Sequence, residues 1–261
     1  MKRKRGARLG QHFLSGQWAA SKLVDAAQIE ATDTVLEIGP GKGALTKELL
    51  KFATRVVAVE KDVALAEELS SLFEKEIESG QLTVIRGDVR DLDLEATRLG
   101  TYVLAANIPY YITGEIIRQF LSSDRQPRTM ALLIQKEVAD RILAKDGKES
   151  ILSISVKAFG DPEIAAKVSK GNFTPMPSVD SAILVVRNIS KNKFSELNEE
   201  LFFKVVRAGF ASKRKFLSSN LTKEFGRDTA AHALAQASLP EKVRAEDVSL
   251  EQWFAVAEEL R

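Results

Sequence analysis

Short apolar runs alternate with amphipathic stretches over roughly the first two-thirds of the chain. The runs predict five β-strands, near residues 34–38, 55–59, 82–85, 102–106 and 128–135. Between them, apolar residues recur at the spacing of an α-helix. Alternating strands and helices are typical of a doubly wound parallel sheet, so we predict an α/β fold.

The pattern changes in the last third of the chain. Leu152–Phe159 and Ala182–Arg187 are apolar enough to predict two further strands, and the polar run 188–193 is typical of a linker. Leu197–Arg261 has apolar positions at helical spacing throughout, which predicts a small helical domain. We therefore predict two domains, residues 1–189 and residues 190–261.

A glycine-rich loop follows the first predicted strand. Gly39-Pro40-Gly41-Lys42-Gly43 lies between that strand and a helical pattern that begins at Ala44. Glycines let the backbone approach a ligand where a Cβ atom would collide, and a helix start presents free amides. Gly39 and Gly41 are therefore candidate ligand-binding residues.

Acidic residues stand at the ends of three predicted strands. Glu37 lies just before the glycine loop, where its carboxylate can pair with a cationic ligand. Glu60 ends the second strand about 20 residues after Gly39, the position from which an acid accepts hydrogen bonds from ribose hydroxyls. Asp88 follows the third strand and can accept the amino group of an adenine. Ligands bind beyond the carboxyl ends of strands in such sheets.

The fourth predicted strand ends in Asn107-Ile108-Pro109-Tyr110. The exocyclic nitrogen of adenine is a poor nucleophile because its lone pair is delocalised into the ring, so a catalyst needs oxygen acceptors to draw its hydrogens out of plane. The side-chain oxygen of Asn107 and the carbonyl of Pro109 are candidates, and Tyr110 can stack on the base. Alone, this run is also typical of a turn after a strand. Together with the upstream residues it indicates a nucleobase-modifying enzyme.

Two cofactor classes fit the glycine loop. The spacing Gly39-x-Gly41-x-x-Ala44 also satisfies the dinucleotide-binding fingerprint of a nicotinamide-dependent dehydrogenase, whereas the phosphate-binding P-loop motif is absent. Glu37, Asp88 and the Asn107 run instead favour S-adenosylmethionine, which carries an adenosine, an amino acid and a sulfonium methyl group.

Composition limits the remaining classes. The chain has two histidines and no cysteine, which argues against a zinc site, and we expect no metal. It has no apolar run of the roughly 20 residues that a membrane span needs. The basic first residues are typical of a mitochondrial transit peptide, but the ligand-binding motifs begin at Leu9 and leave no room for a removable segment. We expect a cytoplasmic protein.

Basic residues are concentrated in two segments although the net charge is only +2. Both segments lack acids, and we expect them to bind RNA phosphates with little sequence reading. The candidate RNA-binding residues are Lys2, Arg3, Lys4, Arg5, Arg8, Lys204, Arg207, Lys213, Arg214 and Lys215.

Five segments of the chain, in order, resemble motifs of the adenine-N6 dimethyltransferases of ribosomal RNA, in their small-subunit (KsgA-type) branch. The segments are Leu9–Leu14, often written with Asn where this chain has His12; Val35–Thr46; Val59–Asp62; Asn107–Ile112; and Phe173–Ser181. The segment Arg207–Leu221 also resembles the C-terminal signature of that family.

The resemblance implies a Rossmann-like class I methyltransferase fold with a helical C-terminal domain, in which the strands on either side of the Phe173 loop form an antiparallel hairpin. It assigns the S-adenosylmethionine pocket to His12, Leu14, Glu37, Gly39, Gly41, Glu60, Asp88 and Asn107. It assigns the catalytic positions to Asn107, Pro109, Tyr110 and Phe173, with Phe173 stacking on the flipped base opposite Tyr110.

The implied reaction is methyl transfer to N6 of two adjacent adenosines in the 3′-terminal hairpin of small-subunit (16S) rRNA, giving N6,N6-dimethyladenosine. The implied partner is an immature small ribosomal subunit, with a role in its biogenesis, and we expect a monomer that binds neither a membrane nor a metal. Two alternatives stay open: a large-subunit methyltransferase of the macrolide-resistance type, and an RNA-binding assembly factor with secondary catalysis.

Overall fold

The computed structural model describes residues 12–261 of the chain. Contacts between Cα atoms group the residues into two compact units. The first contains the residues up to Ala139 together with Pro162–Ile189, and the second contains Asp140–Asp161 together with Ser190–Arg261.

The described residues form nine strands, seven of which make up one large sheet. The strands are β1 (Phe13–Leu14), β2 (Thr34–Ile38), β3 (Arg55–Glu60), β4 (Leu82–Arg86), β5 (Tyr102–Asn107), β6 (Thr129–Gln135), β7 (Asp161–Val168), β8 (Phe173–Thr174) and β9 (Ser181–Arg187). The large sheet has the order β4-β3-β2-β5-β6-β9-β7, and β1 pairs with β8 in a separate two-stranded sheet. All five strands predicted in the first part of the chain are confirmed.

Strand pairing explains the sequence pattern. β2 pairs in parallel with both β3 and β5, and β5 pairs in parallel with β6. Central parallel strands are covered on both faces, so they are continuously apolar rather than alternating. All five residues of β2 are buried, including Glu37. This arrangement brings the carboxyl ends of β2, β3 and β5 to one edge of the sheet.

The predicted strand at Leu152–Phe159 is wrong, because Ile151–Lys157 is a helix. The Ser150 hydroxyl oxygen accepts from Ser153 N, and the Ser153 hydroxyl oxygen accepts from Ser150 N. The two hydrogen bonds form a capping box. These two serines were the helix signal that the apolar run obscured.

The edge strand next to β9 is β7, which the apolar pattern did not predict. Most of its residues are exposed or partly exposed, and only Val168 is buried among them. A strand at a sheet edge need not be apolar, so its sequence carries a weak signal. The strand predicted at Ala182–Arg187 is confirmed as β9, which pairs antiparallel with β6.

Eleven α-helices accompany the strands in the described part of the chain. They are α1 (Gln17–Ala27), α2 (Ala44–Leu49), α3 (Val63–Leu72), α4 (Glu74–Glu78), α5 (Thr113–Ser122), α6 (Lys136–Ile142), α7 (Ile151–Lys157), α8 (Glu199–Gly209), α9 (Leu217–Phe225), α10 (Arg227–Gln236) and α11 (Leu250–Glu259). Within residues 12–261, no helix combines the length and the apolar character needed to cross a membrane.

The second unit has its own apolar core, formed largely by α8 to α11. Phe202 of α8 stacks on Phe254 of α11 with ring centroids 4.3 Å apart, and Trp253 is fully buried. Gly209 at the end of α8 permits this packing, because a Cβ atom there would lie 2.3 Å from the Trp253 ring.

We therefore expect Gly209→Ala to destabilise the protein. Overpacking of a close-packed core costs about 1–3 kcal/mol, which outweighs the gain of up to about 1 kcal/mol in helix propensity. Chemical denaturation of the full chain measures the change in unfolding free energy. Gly114→Ala in α5 is the matched control, since a Cβ atom there meets nothing within 4 Å. Equal stability of the two variants would contradict the packing role of Gly209.

Candidate functional site

The glycine loop lies at the carboxyl end of β2. Gly39, Gly41 and Gly43 have φ values of 64°, 56° and 77°, a backbone region that residues other than glycine rarely adopt. A Cβ atom on Gly41 would lie 2.9 Å from the Phe13 ring. The loop therefore needs glycine for its conformation, and at Gly41 also for the close approach of β1.

Two adjoining cavities open beside this loop, and they share Phe13, Gly39 and Asn107. The first is lined by Phe13, Leu14, Glu37, Gly39, Pro40, Lys42, Ala44, Leu45 and Asn107. The second is lined by His12, Phe13, Gly39, Gly41, Glu60, Asn107, Pro109 and Tyr110. Nine of the residues predicted for the site therefore surround one continuous region.

Glu37 is a buried carboxyl group with one unused oxygen. Its Oε2 atom accepts a hydrogen bond of 2.7 Å from the Thr46 hydroxyl, whereas Oε1 is buried and has no partner. Burial raises the pKa of Glu37 to about 8; the Thr46 hydrogen bond opposes this rise and the charge of Glu60 adds to it. An unpaired buried acceptor of this kind fits a cationic ligand group.

Glu60 is fixed by two backbone amides at the end of β3. Its Oε2 atom accepts from Gly41 N at 3.0 Å, and its Oε1 atom accepts from Asp62 N at 2.9 Å. A carboxylate has about four lone-pair sites, so both oxygens can still accept from ribose hydroxyls. Glu60 thus also ties the glycine loop to β3.

Asp88 lies at the carboxyl end of β4, outside the residues that line the two cavities. It accepts from Lys61 Nζ at 2.8 Å and from two guanidinium nitrogens of Arg90, at 2.9 and 2.6 Å. These cations hold the pKa of Asp88 well below its usual range. Gly87, the residue before Asp88, donates from its backbone N to Glu60 O at 2.9 Å. Asp88 is therefore one residue away from a hydrogen bond to Glu60, which lines the second cavity.

Asn107 ends β5 with its amide group in a defined orientation. Its Nδ2 atom donates to the main-chain oxygen of His12 at 3.0 Å. Since only the amide nitrogen can donate to a carbonyl, the side-chain oxygen is left for another partner. Pro109 O accepts from Ile112 N at 3.1 Å and keeps one lone pair free.

Tyr110 is restrained at two points. Its hydroxyl group lies 3.0 Å from Ser181 Oγ, and its ring stacks on His12 with centroids 5.7 Å apart. His12 Nδ1 in turn lies 2.7 Å from Pro175 O. The segment before β1, the loop after β5 and the segment after β8 therefore meet at this site.

Residues 2–261 match the family of ribosomal RNA adenine dimethylases. The chain belongs to this family. It is 40% identical over 250 residues to ribosomal RNA small subunit methyltransferase A of Dehalococcoides mccartyi strain CBDB1, covering 94% of this chain and 84% of that protein. It is 36% identical over 257 residues to the protein of the same name from Clostridioides difficile strain 630, covering 95% and 88%.

Solved structures agree with this dimethylase assignment. The 23S rRNA methyltransferase ErmE superposes with a TM-score of 0.76 at 26% identity, covering 95% of this chain and 99% of that one. A dimethyladenosine transferase from Plasmodium falciparum gives a TM-score of 0.77 at 25% identity, covering 94% and 96%. The predicted methyltransferase fold and the predicted S-adenosylmethionine-dependent enzyme class are confirmed, and the nicotinamide-dependent dehydrogenase is wrong.

Phe173 is the predicted site residue that the dimethylase fold places differently from expectation. Its side chain is only 4% exposed and belongs to the core cluster of the first unit, next to Leu14, its partner across the β1–β8 pair. In this position the ring has almost no free surface for a base. Its observed contacts are those of a core residue that anchors β8.

Sequence reasoning missed three residues that shape the dimethylase pocket. Phe13 covers Gly41, Thr46 donates to Glu37, and Ser181 binds the Tyr110 hydroxyl group from a fully buried position. Ser181 is the last residue of the Phe173–Ser181 motif, which was the available signal. Phe13 and Thr46 reach their partners Gly41 and Glu37 only in the folded protein, and no sequence pattern marks either residue.

The candidate RNA-binding residues differ in their surroundings. Lys2, Arg3, Lys4, Arg5 and Arg8 lie outside the described residues. Lys204 pairs with Glu224 at 2.9 Å, and its Nζ atom lies 5.4 Å from the Phe225 ring centroid. Lys204 is exposed, as are Arg207, Lys213, Arg214 and Lys215.

Proposed function

We propose that this dimethylase transfers methyl groups from S-adenosylmethionine to N6 of two adjacent adenosines in the 3′-terminal hairpin of small-subunit rRNA. Relatives named ribosomal RNA small subunit methyltransferase A, which match nearly the whole chain, support this substrate over large-subunit rRNA. Under this proposal, the protein acts as a monomer on an immature subunit in the cytoplasm, without a metal ion.

The orientation of the Asn107 amide carries the proposal. Because Nδ2 is engaged by His12 O at 3.0 Å, the side-chain oxygen remains the available acceptor at the end of β5. An adenine amine that donates to this oxygen is drawn away from conjugation with its ring, which exposes the nitrogen lone pair. A methyltransferase for exocyclic amines needs such an acceptor.

Pro109 supplies the second acceptor. Its carbonyl group still has a lone pair beyond the bond from Ile112 N, and the proline ring holds φ at −56°. Two oxygens on the two hydrogens of one amine fix the direction of the nitrogen lone pair. Fixed alignment of attacking and transferred groups contributes up to about 7–11 kcal/mol to barrier lowering in well-oriented reactions.

Tyr110 is the proposed stacking platform for the base. Extruding a base from its helix costs a few kcal/mol, and stacking on an aromatic ring returns about 1–3 kcal/mol. Every base has a face that stacks, so the hydrogen bonds to Asn107 and Pro109 select adenine. The Ser181 contact at the tyrosine hydroxyl keeps this ring in place.

The residues around the glycine loop fit S-adenosylmethionine, which supplies an activated methyl group on a sulfonium. The unpaired Oε1 atom of Glu37 is a suitable acceptor for an α-amino group, and Glu60 for ribose hydroxyls. Gly39 and Gly41 leave room beside the loop, and Leu14 lies against the same cavity. Asp88 would accept an adenine amino group only after sharing its oxygens with Lys61 and Arg90.

Proton removal needs no dedicated base in this mechanism. A methylated amine that is still cationic is acidic, and its proton can pass to water, to the Asn107 oxygen or to the Pro109 carbonyl. For the second methyl group the nitrogen carries one hydrogen, which donates to only one of the Asn107 and Pro109 oxygens, and the methyl group already transferred takes the place of the other hydrogen.

RNA binding is proposed to use the basic loop, defined here as Lys213-Arg214-Lys215 between α8 and α9, together with the exposed Arg207. Asn220 of α9 fixes the start of this loop, because its buried amide donates to Gly209 O at 2.6 Å and to Ser212 O at 3.1 Å. Lys204 is less available, since it is paired with Glu224. The helical residues 190–261 would thus form an RNA-binding domain.

Replacing all three residues of the basic loop by Ala should weaken RNA binding and lower its salt dependence. Each lost phosphate contact reduces the slope of log K against log salt by about 1, so we expect a reduction of about 2–3. Titrations of a small-subunit rRNA fragment at several salt concentrations measure this slope. The single change Lys204→Gln is the control and should alter it little. An unchanged slope in the triple variant would rule out the basic loop as a phosphate contact.

Transfer of labelled methyl to ribosomal subunits lacking the mark tests the whole proposal. We expect label in small subunits, and N6,N6-dimethyladenosine after nuclease digestion. Label confined to large subunits would favour the macrolide-resistance type instead. A catalytically inactive variant that restores assembly of the small subunit as well as the active protein does would favour the assembly factor.

A further inference from the structure

The imidazole ring of His12 joins two segments that are far apart in sequence. Its Nδ1 atom lies 2.7 Å from Pro175 O, and its ring stacks on Tyr110 with an interplanar angle of 29°. A carbonyl oxygen can only accept, so Nδ1 carries the hydrogen in this contact. One side chain therefore holds both the tyrosine ring and the segment that follows β8.

These ring contacts are separate from the main-chain contact of the same residue. Asn107 Nδ2 donates to the His12 carbonyl, which any residue at position 12 supplies. A substitution of His12 therefore removes the ring contacts while leaving the partner of Asn107 in place. The side chain can be tested without removing the hydrogen bond on which the catalytic amide depends.

Tyr110 has one further restraint, at its other end. Its hydroxyl group lies 3.0 Å from Ser181 Oγ, and Ser181 is fully buried at the start of β9. The contact at the hydroxyl group fixes the far end of the side chain, but it leaves rotation of the ring about its Cβ–Oη axis unrestrained. The His12 ring restricts this remaining motion because it lies against the tyrosine ring.

We propose that the imidazole of His12 is a positioning group for methyl transfer, which couples the Tyr110 platform to the Pro175 carbonyl and so sets the orientation of the stacked base. This inference rests on the proposed function. His12 acts through Tyr110, and its side chain takes no part in the bond changes. The residue expected from the family resemblance at this position, Asn, supplies the donor without the ring.

Three variants separate the two ring contacts. His12→Asn keeps an amide donor near the place of Nδ1 and loses the stacking ring, His12→Phe keeps a ring and loses the donor, and His12→Ala loses both. A neutral hydrogen bond and an aromatic pair have similar strengths, so we expect each single loss to lower kcat about 10-fold. His12→Ala should lower kcat further, and the Kd for S-adenosylmethionine should stay within about twofold because the main-chain contact remains.

Fluorine NMR reports on the coupling without using catalysis. The chain has three tyrosines, so 3-fluorotyrosine labelling gives three signals, and Tyr110→Phe identifies the one from Tyr110. We expect this signal to shift or broaden in all three His12 variants, while the signal of the buried Tyr102 stays unchanged.

Normal kcat in His12→Ala, or an unchanged Tyr110 signal in that variant, would overturn the proposal. A rise in Kd for S-adenosylmethionine that accounts for the whole loss of activity would also overturn it, since His12 would then serve the cofactor alone. Failure of the wild-type protein to methylate small subunits would instead refute the proposed function. The NMR result on the free protein stays informative in that case.

Discussion

Asn107→Ala is expected to lower kcat for adenosine methylation by at least about 10²–10³-fold, the usual effect of removing one preorganised polar group that stabilises a transition state. The variant loses the acceptor that draws the amine out of conjugation, and Pro109 O alone cannot fix both hydrogens. Single-turnover methylation of small subunits at saturating S-adenosylmethionine measures the effect.

RNA affinity should change little in the same variant, since Asn107 ends a strand inside the pocket and bears no charge. Asn172→Ala is a matched control in the first unit, because the Asn172 amide donates to Ser169 O and lies outside the residues that line the two cavities. We expect normal turnover from this control. Near-normal turnover of Asn107→Ala would remove the proposed role of its oxygen.

Cofactor binding is expected to release a proton from Glu37 near neutral pH. The pKa of this buried carboxyl group is raised to about 8 in the free protein, so it is mostly protonated at pH 7. A free α-amino group has a pKa of about 7.7–8.0 and is cationic there. Pairing the two requires the carboxylate, so the affinity for S-adenosylmethionine should rise with pH between about 6 and 7.5, at most tenfold per pH unit.

Calorimetric titrations in buffers of different ionisation enthalpy count the proton directly. The wild-type protein should release close to one proton per cofactor at pH 7, whereas Glu37→Gln should release none from this site. That variant should also bind more weakly, by about 2–5 kcal/mol, since the cation loses its charged partner. Glu48→Gln is the control: Glu48 is also buried, but Lys51 and Ser21 hold its pKa below the ordinary value. Equal proton release by wild type and Glu37→Gln would disprove the pairing.

The same raised pKa fixes the sign of a stability effect. Because the pKa of Glu37 is higher in the folded protein, protonation of this group stabilises the folded state. Its contribution to the free energy of unfolding is fully present below pH 4.5, the value for the unfolded chain, and is lost as the pH rises towards 8. The cofactor-free protein should therefore lose stability over this range, and Glu37→Gln should lose less.

Much of the sheet and of the pocket could be predicted because the relevant signals are local. Five apolar runs gave five parallel strands, and the polar residues at their ends fell at one edge of the sheet, as parallel pairing requires. Glu37, Glu60 and Asn107, which the sequence predicts as site residues, lie at or next to these strand ends and line the two cavities.

The errors arose where local signals were weak or misleading. Ile151–Lys157 has the apolar composition of a strand, but the capping box of Ser150 and Ser153 stabilises it as a helix. β7 lies at a sheet edge and has little apolar character. Phe173 belongs to a motif near the site, but only the β1–β8 pairing shows that its ring points into the core. The Ser181 contact with Tyr110 joins residues 71 positions apart, which no spacing rule anticipates.

A crystal structure of the protein with S-adenosylhomocysteine and an adenosine-containing RNA fragment tests the central claim most directly. We predict an adenine N6 atom within hydrogen-bond distance of Asn107 Oδ1, while Asn107 Nδ2 remains on the His12 carbonyl. An adenine that meets the amide nitrogen of Asn107, or that binds away from Asn107 and Pro109, would contradict it.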